Sequence, residues 1–332
     1  MSIVEHMFDL HRKPPPATLP FRPRSYPIRV GLIIGLHSTE QRPSNKRWVH
    51  ILEQVKLAEK VGLDLVVFED ALLYKGKTQS AGVWEAMAIA AAIAASAHSI
   101  EFGPSAINAP YRSAAHLAKL AETIDEIANG RFILGLGAGN TDDADYAAFG
   151  FPTDHRYSRF AEAIVIIHSL LKTGTADFTG AFHPAQNSEL VVRGPRPTGP
   201  PIVIAAAGPK MLKLTAKYAD GWNWWTTQAA SSTSEIISLV AAVAAACVAE
   251  NRDPSDPQRS IDLYSLDPLS ISADNDEPGG RLSGSPELIA ERLSQFGDLS
   301  FDEVRCDLIS DESHTSALEA IEALGKVASL LR

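Results

Sequence analysis

The sequence predicts an α/β fold in which eight parallel strands, each followed by a helix, close into a (β/α)₈ barrel. Short apolar, β-branched runs alternate along the chain with longer segments of helical periodicity, as expected for repeated βα units. The strand runs are continuously apolar, which is typical of parallel strands covered on both faces. The 332 residues are enough for one large barrel. A doubly wound open sheet is the alternative that this pattern leaves open.

The first half of the chain contains four predicted strand–helix pairs. Ser44 or Asn45 is expected to cap the first helix and Gly62 to end it. An alanine-rich helix is expected from Val83 onwards, and a further helix begins after Ser113. The four strands are predicted at residues 28–36, 63–68, 99–107 and 132–137.

A long stretch without a clear strand follows Asn140. It contains one good helical pattern at residues 157–171, and we interpret residues 141–200 as an insertion after the fourth strand. The barrel domain would then span residues 28–332, with a domain boundary inside this stretch as the alternative. The pattern resumes with strands at residues 201–206, 220–224, 261–266 and 303–309, and with helices at 210–218, 235–250, 286–296 and 316–331.

Composition and motifs narrow the possible partners. Residues 1–27 are proline-rich and lack an apolar run long enough for a signal peptide, so we expect an extended arm. The net charge of -10 argues against nucleic-acid and membrane partners. Cys247 and Cys306 belong to no CxxC motif and are expected to be reduced, which suits the cytoplasm. No HExxH or His-x-His motif is present, so no metal is expected.

Polar and small residues follow the predicted strands. In (β/α)₈ barrels the reacting groups lie at the carboxyl ends of the strands, and a ligand pocket needs a few convergent polar groups there. In chain order, the candidate residues after the first six strands are His37, Glu69, Asp70, Ser105, Ala106, Asn108, Gly137, Ala138, Gly139, Asn140, Ala207, Gly208, Pro209, Asn223, Trp224 and Trp225.

Three of these positions suggest particular chemistry. His37 is a candidate acid–base residue, although a histidine at a strand end can also be purely structural. Glu69 and Asp70 are adjacent, so they point to opposite sides of a strand, and we prefer Asp70 as the ligand-binding one. Gly208 precedes a helix, whose free amides and dipole favour an anion such as a phosphate.

The glycine-rich run GLGAGN at residues 135–140 does not fit the dinucleotide-binding fingerprint. That fingerprint needs a third glycine where Asn140 stands, and a helix directly after it. The glycines are better explained by the close approach of a flat ring to the strand end.

Several segments together resemble the luciferase-like monooxygenase superfamily. The most specific is FGPSAINAPYRSAAHLAKLAETIDEIANGRFILGLGAGN, which is similar to that family's third strand, helix and fourth strand. Further similar segments are DYAAFGFPTDHRYSRFAEAIVIIHSLL, PPIVIAAAGPKMLKLTAKYADGWNWW and GSPELIAERLSQF. The resemblance covers roughly residues 28–310.

The resemblance implies FMN or the 5-deazaflavin coenzyme F420 at the barrel mouth. The ring would lie near a non-proline cis peptide at Ser105–Ala106, and the phosphate near Ala207 and Gly208. Relatives are often homodimers. The chain departs from many relatives in having Ala71, and not histidine, after Asp70; it also has Asn140 where deazaflavin sugar-phosphate dehydrogenases have an acidic residue.

We therefore expect an enzyme that uses reduced FMN and oxygen on a small organic substrate. His37, Asp70 and Tyr157 are the candidate catalytic residues. Phe149, Phe151 and the Trp222, Trp224 and Trp225 group would wall the substrate pocket, or else belong to the core. The alternatives are an F420-dependent hydride-transfer enzyme and a non-catalytic flavin-binding barrel. The predicted cofactor-binding residues are Ser105, Ala106, Asn108, Gly137, Gly139, Asn140, Ala207, Gly208 and Pro209.

Overall fold

The computed structural model describes residues 28–37, 47–75, 80–139, 144–226, 232–269, 282–308 and 314–332. The predicted arm at 1–27 and the candidate residue Asn140 lie outside these ranges.

Strands and helices alternate along the described chain. The strands are β1 (Arg29–Ile34), β2 (Leu65–Phe68), β3 (Leu73–Lys75), β4 (Ser80–Gly82), β5 (Glu101–Pro104), β6 (Ile107–Asn108), β7 (Leu134–Gly137), β8 (Thr175–Phe178), β9 (Ala185–Glu189), β10 (Ile202–Ala205), β11 (Gly221–Trp225), β12 (Gln258–Asp267), β13 (Leu282–Ser283) and β14 (Glu303–Leu308). The helices are α1 (Trp48–Lys60), α2 (Ala86–Ser96), α3 (Ala114–Ile127), α4 (Ala144–Ala148), α5 (Arg156–Thr173), α6 (Pro209–Tyr218), α7 (Thr233–Ala249), α8 (Pro286–Asp298) and α9 (His314–Leu330).

The main sheet is parallel and closes into a barrel, as predicted. Its strand order is β5-β2-β1-β14-β12-β11-β10-β7-β6, and β13 adds to β12. β5 and β6 are two pieces of the predicted third strand, interrupted by the cis peptide bond between Ser105 and Ala106. This strand pairs with β2 through β5 and with β7 through β6, and a parallel bridge between Phe102 and Phe132 adds to the closure. The open sheet is therefore excluded.

Apolar side chains cover the outer face of the barrel wall and part of its inner face, which explains the continuous apolar runs in the sequence. Outward residues such as Val30 and Leu32 join the large core beneath the helices. Inside the barrel, a small cluster of Leu65, Val67 and Ile133 with Val203 is buried. Gly135 is required where the strands come together, because a Cβ there would lie 2.0 Å from the carbonyl oxygen of Pro104.

Below this inner cluster the barrel contains buried charges that the sequence did not lead us to expect. Arg29 pairs with Glu101 and lies 3.3 Å from Glu303 (Nη1 to Oε2). Arg305 Nε donates to Glu303 Oε1 at 2.6 Å. All four side chains are at most 6% exposed. Every charge in the group thus has an oppositely charged neighbour, as buried ions require.

The chain between β7 and β10 holds α4, α5 and an antiparallel β8–β9 hairpin, where the sequence predicted only the helix at 157–171. The segment that leads from β9 back to β10 is held against α3 by two ion pairs. Arg193 Nε donates to Glu122 at 2.9 Å, and the buried Arg196 pairs with Asp125. A second hairpin, β3–β4, was also not predicted. The N-cap of α1 is Arg47, and not Ser44 or Asn45.

Candidate active site

A cavity of about 610 Å³ opens at the carboxyl ends of the barrel strands. It brings together seven of the residues predicted to be catalytic or cofactor-binding, namely His37, Asp70, Ser105, Ala106, Asn108, Gly137 and Gly139. Its walls also contain Ile33, Ile34, Gly35, Glu69, Ala71, Leu73, Tyr74, Ala138, Ala205, Asn223, Trp225, Asp262, Tyr264 and Asp307. The volume falls within the range that small-molecule and cofactor sites occupy.

His37 is held by Glu69, the carboxylate that ends β2. The two side chains meet at 2.7 Å between His37 Nδ1 and Glu69 Oε1. The same oxygen accepts the backbone N–H groups of Leu36 at 2.7 Å and His37 at 3.1 Å. Tyr74 on β3 donates its hydroxyl to the other oxygen at 2.5 Å. The carboxylate therefore fixes an imidazole and a phenol on one wall of the cavity.

These hydrogen bonds determine the charge of Glu69. Burial alone would raise its pKa, but the bonds from His37, Tyr74 and the Leu36 amide lower the pKa below the ordinary value. Glu69 is thus ionised at neutral pH and can only accept hydrogen bonds. It follows that Nδ1 of His37 carries a proton and that Nε2 is the basic nitrogen of the ring.

Asp70 lies on the opposite side of the β2 end and binds Arg112. Its Oδ2 accepts from Arg112 Nη1 at 2.7 Å, and its Oδ1 accepts from Arg112 Nη2 at 2.9 Å. Oδ2 also accepts the backbone N–H of Asn108 at 2.8 Å, while the Asn108 side chain donates to the Asp70 carbonyl. Asp70 therefore ties the β2 end to β6, so both of its oxygens are already engaged. A catalytic role for Asp70 stays a prediction.

The floor of the cavity is polar. Ser105 Oγ donates to Asp262 Oδ2 at 3.1 Å and accepts from Arg305 Nη1 at 3.0 Å. Asn223 Nδ2 donates to Asp262 Oδ1 at 2.8 Å and to Ser260 Oγ at 3.1 Å. Burial raises the pKa of the Asp262 carboxyl, and Arg305 with these hydrogen bonds lowers it in part.

Asp262, Tyr264 and Asp307 are site residues that the sequence reasoning missed. A signal was present: in β12 and β14 polar residues alternate with apolar ones, as in Ser260, Asp262 and Tyr264. Such alternation normally marks a strand with one face in water. Here the polar face lies inside the barrel, at the cavity.

The predicted phosphate site lies beside this cavity but is not part of its lining. Gly208 is the N-cap of α6 and Pro209 its first residue, and no side chain caps the free amides. A Cβ at Gly208 would meet nothing within 4 Å, so the approach to these amides is open. Lys210 Nζ lies 5.5 Å from the Tyr157 ring centroid, which places Tyr157 next to the α6 N-terminus.

Of the aromatic residues predicted to wall the pocket, some line the cavity and others do not. Trp225 lines the cavity. Trp222 is fully buried, and its Nε1 donates to the Ala206 carbonyl at 2.8 Å, so it belongs to the core. Trp224 is buried as well, and Phe149 is 53% exposed; in the part of the chain that the structure describes, neither is among the cavity-lining residues.

Among the described residues, no group of three or more His, Cys, Asp or Glu side chains is arranged to hold a metal ion. None of the described helices has both the length and the apolar character of a membrane span.

The sequence model of the family described as luciferase-like monooxygenase matches residues 28–277 of this chain. Among curated relatives, the chain is similar to the 5,10-methylenetetrahydromethanopterin reductase of Archaeoglobus fulgidus, with 33% identity over 167 residues. That match covers 50% of this chain and 46% of the relative, so the chain matches only about half of that protein's length. It is also 26% identical over 272 residues to the F420-dependent glucose-6-phosphate dehydrogenase of Amycolatopsis mediterranei, covering 76% of this chain and 78% of that protein.

Solved structures have the same fold at low sequence identity. An F420-dependent secondary alcohol dehydrogenase in complex with an F420–acetone adduct superposes with a TM-score of 0.73 at 17% identity, over 90% of this chain and 99% of that one. A type II Baeyer–Villiger monooxygenase from Pseudomonas putida in complex with FMN gives a TM-score of 0.70 at 16% identity, over 92% and 99%. At these identities the likeness concerns the fold alone.

Proposed function

Because the chain belongs to the luciferase-like monooxygenase family, we propose that it is an oxidoreductase that binds coenzyme F420 in the barrel-mouth cavity. The reaction would be hydride transfer between that ring and a carbon bearing a hydroxyl or carbonyl group. The observation that carries this proposal is the pair formed by His37 and the ionised Glu69 on the cavity wall. Such a pair suits the transfer of a proton to or from a substrate oxygen.

The residues present fit a flat ring with a phosphorylated side chain. Gly137 and Ala106 provide a wall of small residues, since a Cβ on Gly137 would already lie 3.6 Å from that of Ala106. The open amides at the start of α6, with Lys210 beside them, suit an anion. We propose that the ring is held by Ser105, Ala106, Asn108, Gly137 and Gly139, and the phosphate by Ala207, Gly208 and Pro209.

Each wall of the cavity would have a distinct task. The deazaflavin ring, when bound, supplies the hydride chemistry without oxygen. Nε2 of His37 would take the hydroxyl proton of an alcohol as the adjacent carbon loses hydride, or return it to a ketone. Glu69 would stabilise the imidazolium and keep the ring oriented, and Tyr74 would hold Glu69 in place. Trp225, Leu73 and Ile34 would exclude water from the reacting carbon.

A second candidate function keeps the original expectation of reduced FMN and oxygen. It is favoured by the likeness in fold to the FMN-bound Baeyer–Villiger monooxygenase. F420 comes first because the Amycolatopsis relative, which the chain matches over three quarters of its length, is named as F420-dependent.

A titration distinguishes the two cofactors. The purified protein would be titrated with F420 and with FMN, following ring fluorescence, and then assayed on a panel of secondary alcohols and ketones. We expect micromolar binding of F420 and turnover that His37→Gln reduces about a hundredfold. The matched control is His116→Gln, an exposed position on α3. Tight binding of FMN alone would overturn the first proposal in favour of the second.

A further inference from the structure

The hydrogen bonds at the cavity floor are organised around one carboxylate, Asp262. It is 3% exposed and lies at the base of the cavity. Three neutral or charged donors surround it: Ser105 Oγ, Asn223 Nδ2 and, at 3.6 Å, Arg305 Nη1. Asn223 lies on β11, Arg305 on β14 and Ser105 between β5 and β6, so the carboxylate fixes the relative position of all three.

The hydrogen bonds within the floor determine which donors and acceptors remain for a ligand. The single hydroxyl proton of Ser105 goes to Asp262. The amide of Asn223 has two hydrogens, and its nitrogen bonds Asp262 and Ser260. Its Oδ1 therefore remains as the side chain's acceptor, and no donor from the described residues bonds it. Ser105 Oγ and Asn223 Oδ1 can therefore only accept further hydrogen bonds, and Asp262 does the same in its ionised form, which the donors from Ser105, Asn223 and Arg305 stabilise.

The charges below the floor do not cancel this acceptor character. Arg29 is paired with Glu101, and Arg305 has its closest ionic contact with Glu303 at 2.6 Å. Among these ionic contacts, the one between Arg305 Nη1 and Asp262 is the longest, at 3.6 Å. A donor arriving from the cavity would therefore add stabilisation that the protein itself does not supply.

We propose that Asp262 is a positioning residue that makes the cavity floor acceptor-only, so that the site selects a ligand carrying a hydrogen-bond donor at this point. The donor chemistry is a ring imide N–H or a hydroxyl. A ligand that presents only carbonyl, carboxylate or phosphate oxygens to the floor, with no donor among them, is disfavoured, since it would place acceptor against acceptor. The identification of the donor as the imide N–H of the cofactor ring rests on the proposed function. The acceptor character of the floor does not.

The first test uses two small probes that differ at one ring nitrogen, which bears a hydrogen in one probe and a methyl group in the other. 1-Methyluracil has one imide N–H, and 1,3-dimethyluracil lacks it. We expect the wild-type protein to bind the former about tenfold more tightly in a ligand-observed NMR titration. Asp262→Asn should abolish this preference, because its amide adds a donor to the floor. Equal binding of both probes to the wild type would overturn the proposal.

The second test distinguishes positioning from mere support of the fold. Asp262→Asn is expected to weaken binding of F420 or FMN about tenfold and to shift the absorbance maximum of the bound ring. The exchange variant Asp262→Asn/Asn223→Asp restores a carboxylate facing an amide and should recover most of the affinity. Asp125→Asn is the matched control, a buried carboxylate that pairs with Arg196 away from the cavity lining, and should lower thermal stability without changing the affinity or the spectrum.

The outcomes separate the two proposals. If the wild type binds neither F420 nor FMN but still prefers 1-methyluracil, the proposed function fails and the floor polarity stands. If a cofactor binds and Asp262→Asn leaves both its affinity and its spectrum unchanged, the floor polarity is wrong. Loss of 1-methyluracil binding in the cofactor complex assigns the donor to the ring, and retained binding assigns it to the substrate.

Discussion

His37 and Glu69 follow the carboxyl ends of two neighbouring strands, β1 and β2, and their side chains meet at 2.7 Å in the barrel mouth. The parallel register places Ile34 beside Phe68, so the next residues along each strand reach the same edge. Strand pairing brings these segments to the same edge, and the bonds from the Leu36 and His37 amides to Glu69 set the imidazole against its orienting carboxylate.

The first prediction concerns this pair. Glu69→Gln should reduce kcat/KM about a hundredfold, because a glutamine amide can donate to Nδ1 and so favours the wrong tautomer of His37. Tyr74→Phe removes one hydrogen bond to the same carboxylate and should reduce it about tenfold. Steady-state kinetics with thermal melting as the folding control would measure both. Wild-type kinetics in Glu69→Gln would exclude the proton-transfer role.

The second prediction tests whether Asp70 acts chemically or structurally. Asp70→Asn should lower the free energy of unfolding by about 3 kcal/mol, because it leaves the buried side of Arg112 poorly paired. The double variant Asp70→Asn/Arg112→Gln should lose less than the sum of the two single changes. Urea denaturation of the four proteins gives the coupling energy. A stable, inactive Asp70→Asn protein would instead support the catalytic role predicted from the sequence.

The third prediction concerns the N-terminus of α6. Gly208→Asp should keep the fold, since the new Cβ meets open space and aspartate is a favoured N-cap residue. Its carboxylate would occupy the free amides and repel a phosphate, so FMN or F420 should bind about tenfold more weakly. Riboflavin, which has no phosphate, serves as the control ligand and should be unaffected. Equal weakening of riboflavin binding would show that the phosphate does not sit there.

The fourth prediction is a pH dependence of stability. Burial raises the pKa of Asp64 from 3.8 to about 6, and the hydrogen bond from the Val30 amide opposes this only in part. The folded protein thus binds more protons than the unfolded chain between these values, and stability falls as pH rises through that window. Asp64→Asn should therefore be more stable than wild type at pH 7, by about 3 kcal/mol at most. Chemical denaturation should show that this difference vanishes near pH 4. An equal difference in the free energy of unfolding at pH 4 and pH 7 would contradict the prediction.

Much of the barrel could be predicted from the sequence because its strands are buried on both faces. The apolar runs located β1, β2, β7 and β10, and the residues after them reached the cavity. Continuous apolar runs do not reveal which residues face inward, however, since apolar residues occur on both faces of these four strands. To choose between Glu69 and Asp70, one has to know which of the two faces the barrel interior. That choice also requires the positions of His37 and Arg112, which are distant in sequence.

The floor of the site was missed for a related reason. The seventh strand was predicted to start at Ile261, whereas β12 begins at Gln258, so the alternation through Ser260 and Asp262 was not seen as one pattern. The two hairpins were missed because their strands have three to five residues and mixed composition. Such short elements are stabilised by tertiary contacts more than by local propensity.

The alternation of charged and apolar residues along β14 constrains how this sequence can evolve. Glu303, Arg305 and Asp307 alternate with Val304 and Cys306, so ions face the lumen and apolar groups face the helices. Insertion or deletion of a single residue in this strand would exchange the two sets and place the ions against α8 and α9. Length variation is therefore expected to accumulate in the loops that follow the strands, where new substrate preferences can arise without disturbing the barrel interior.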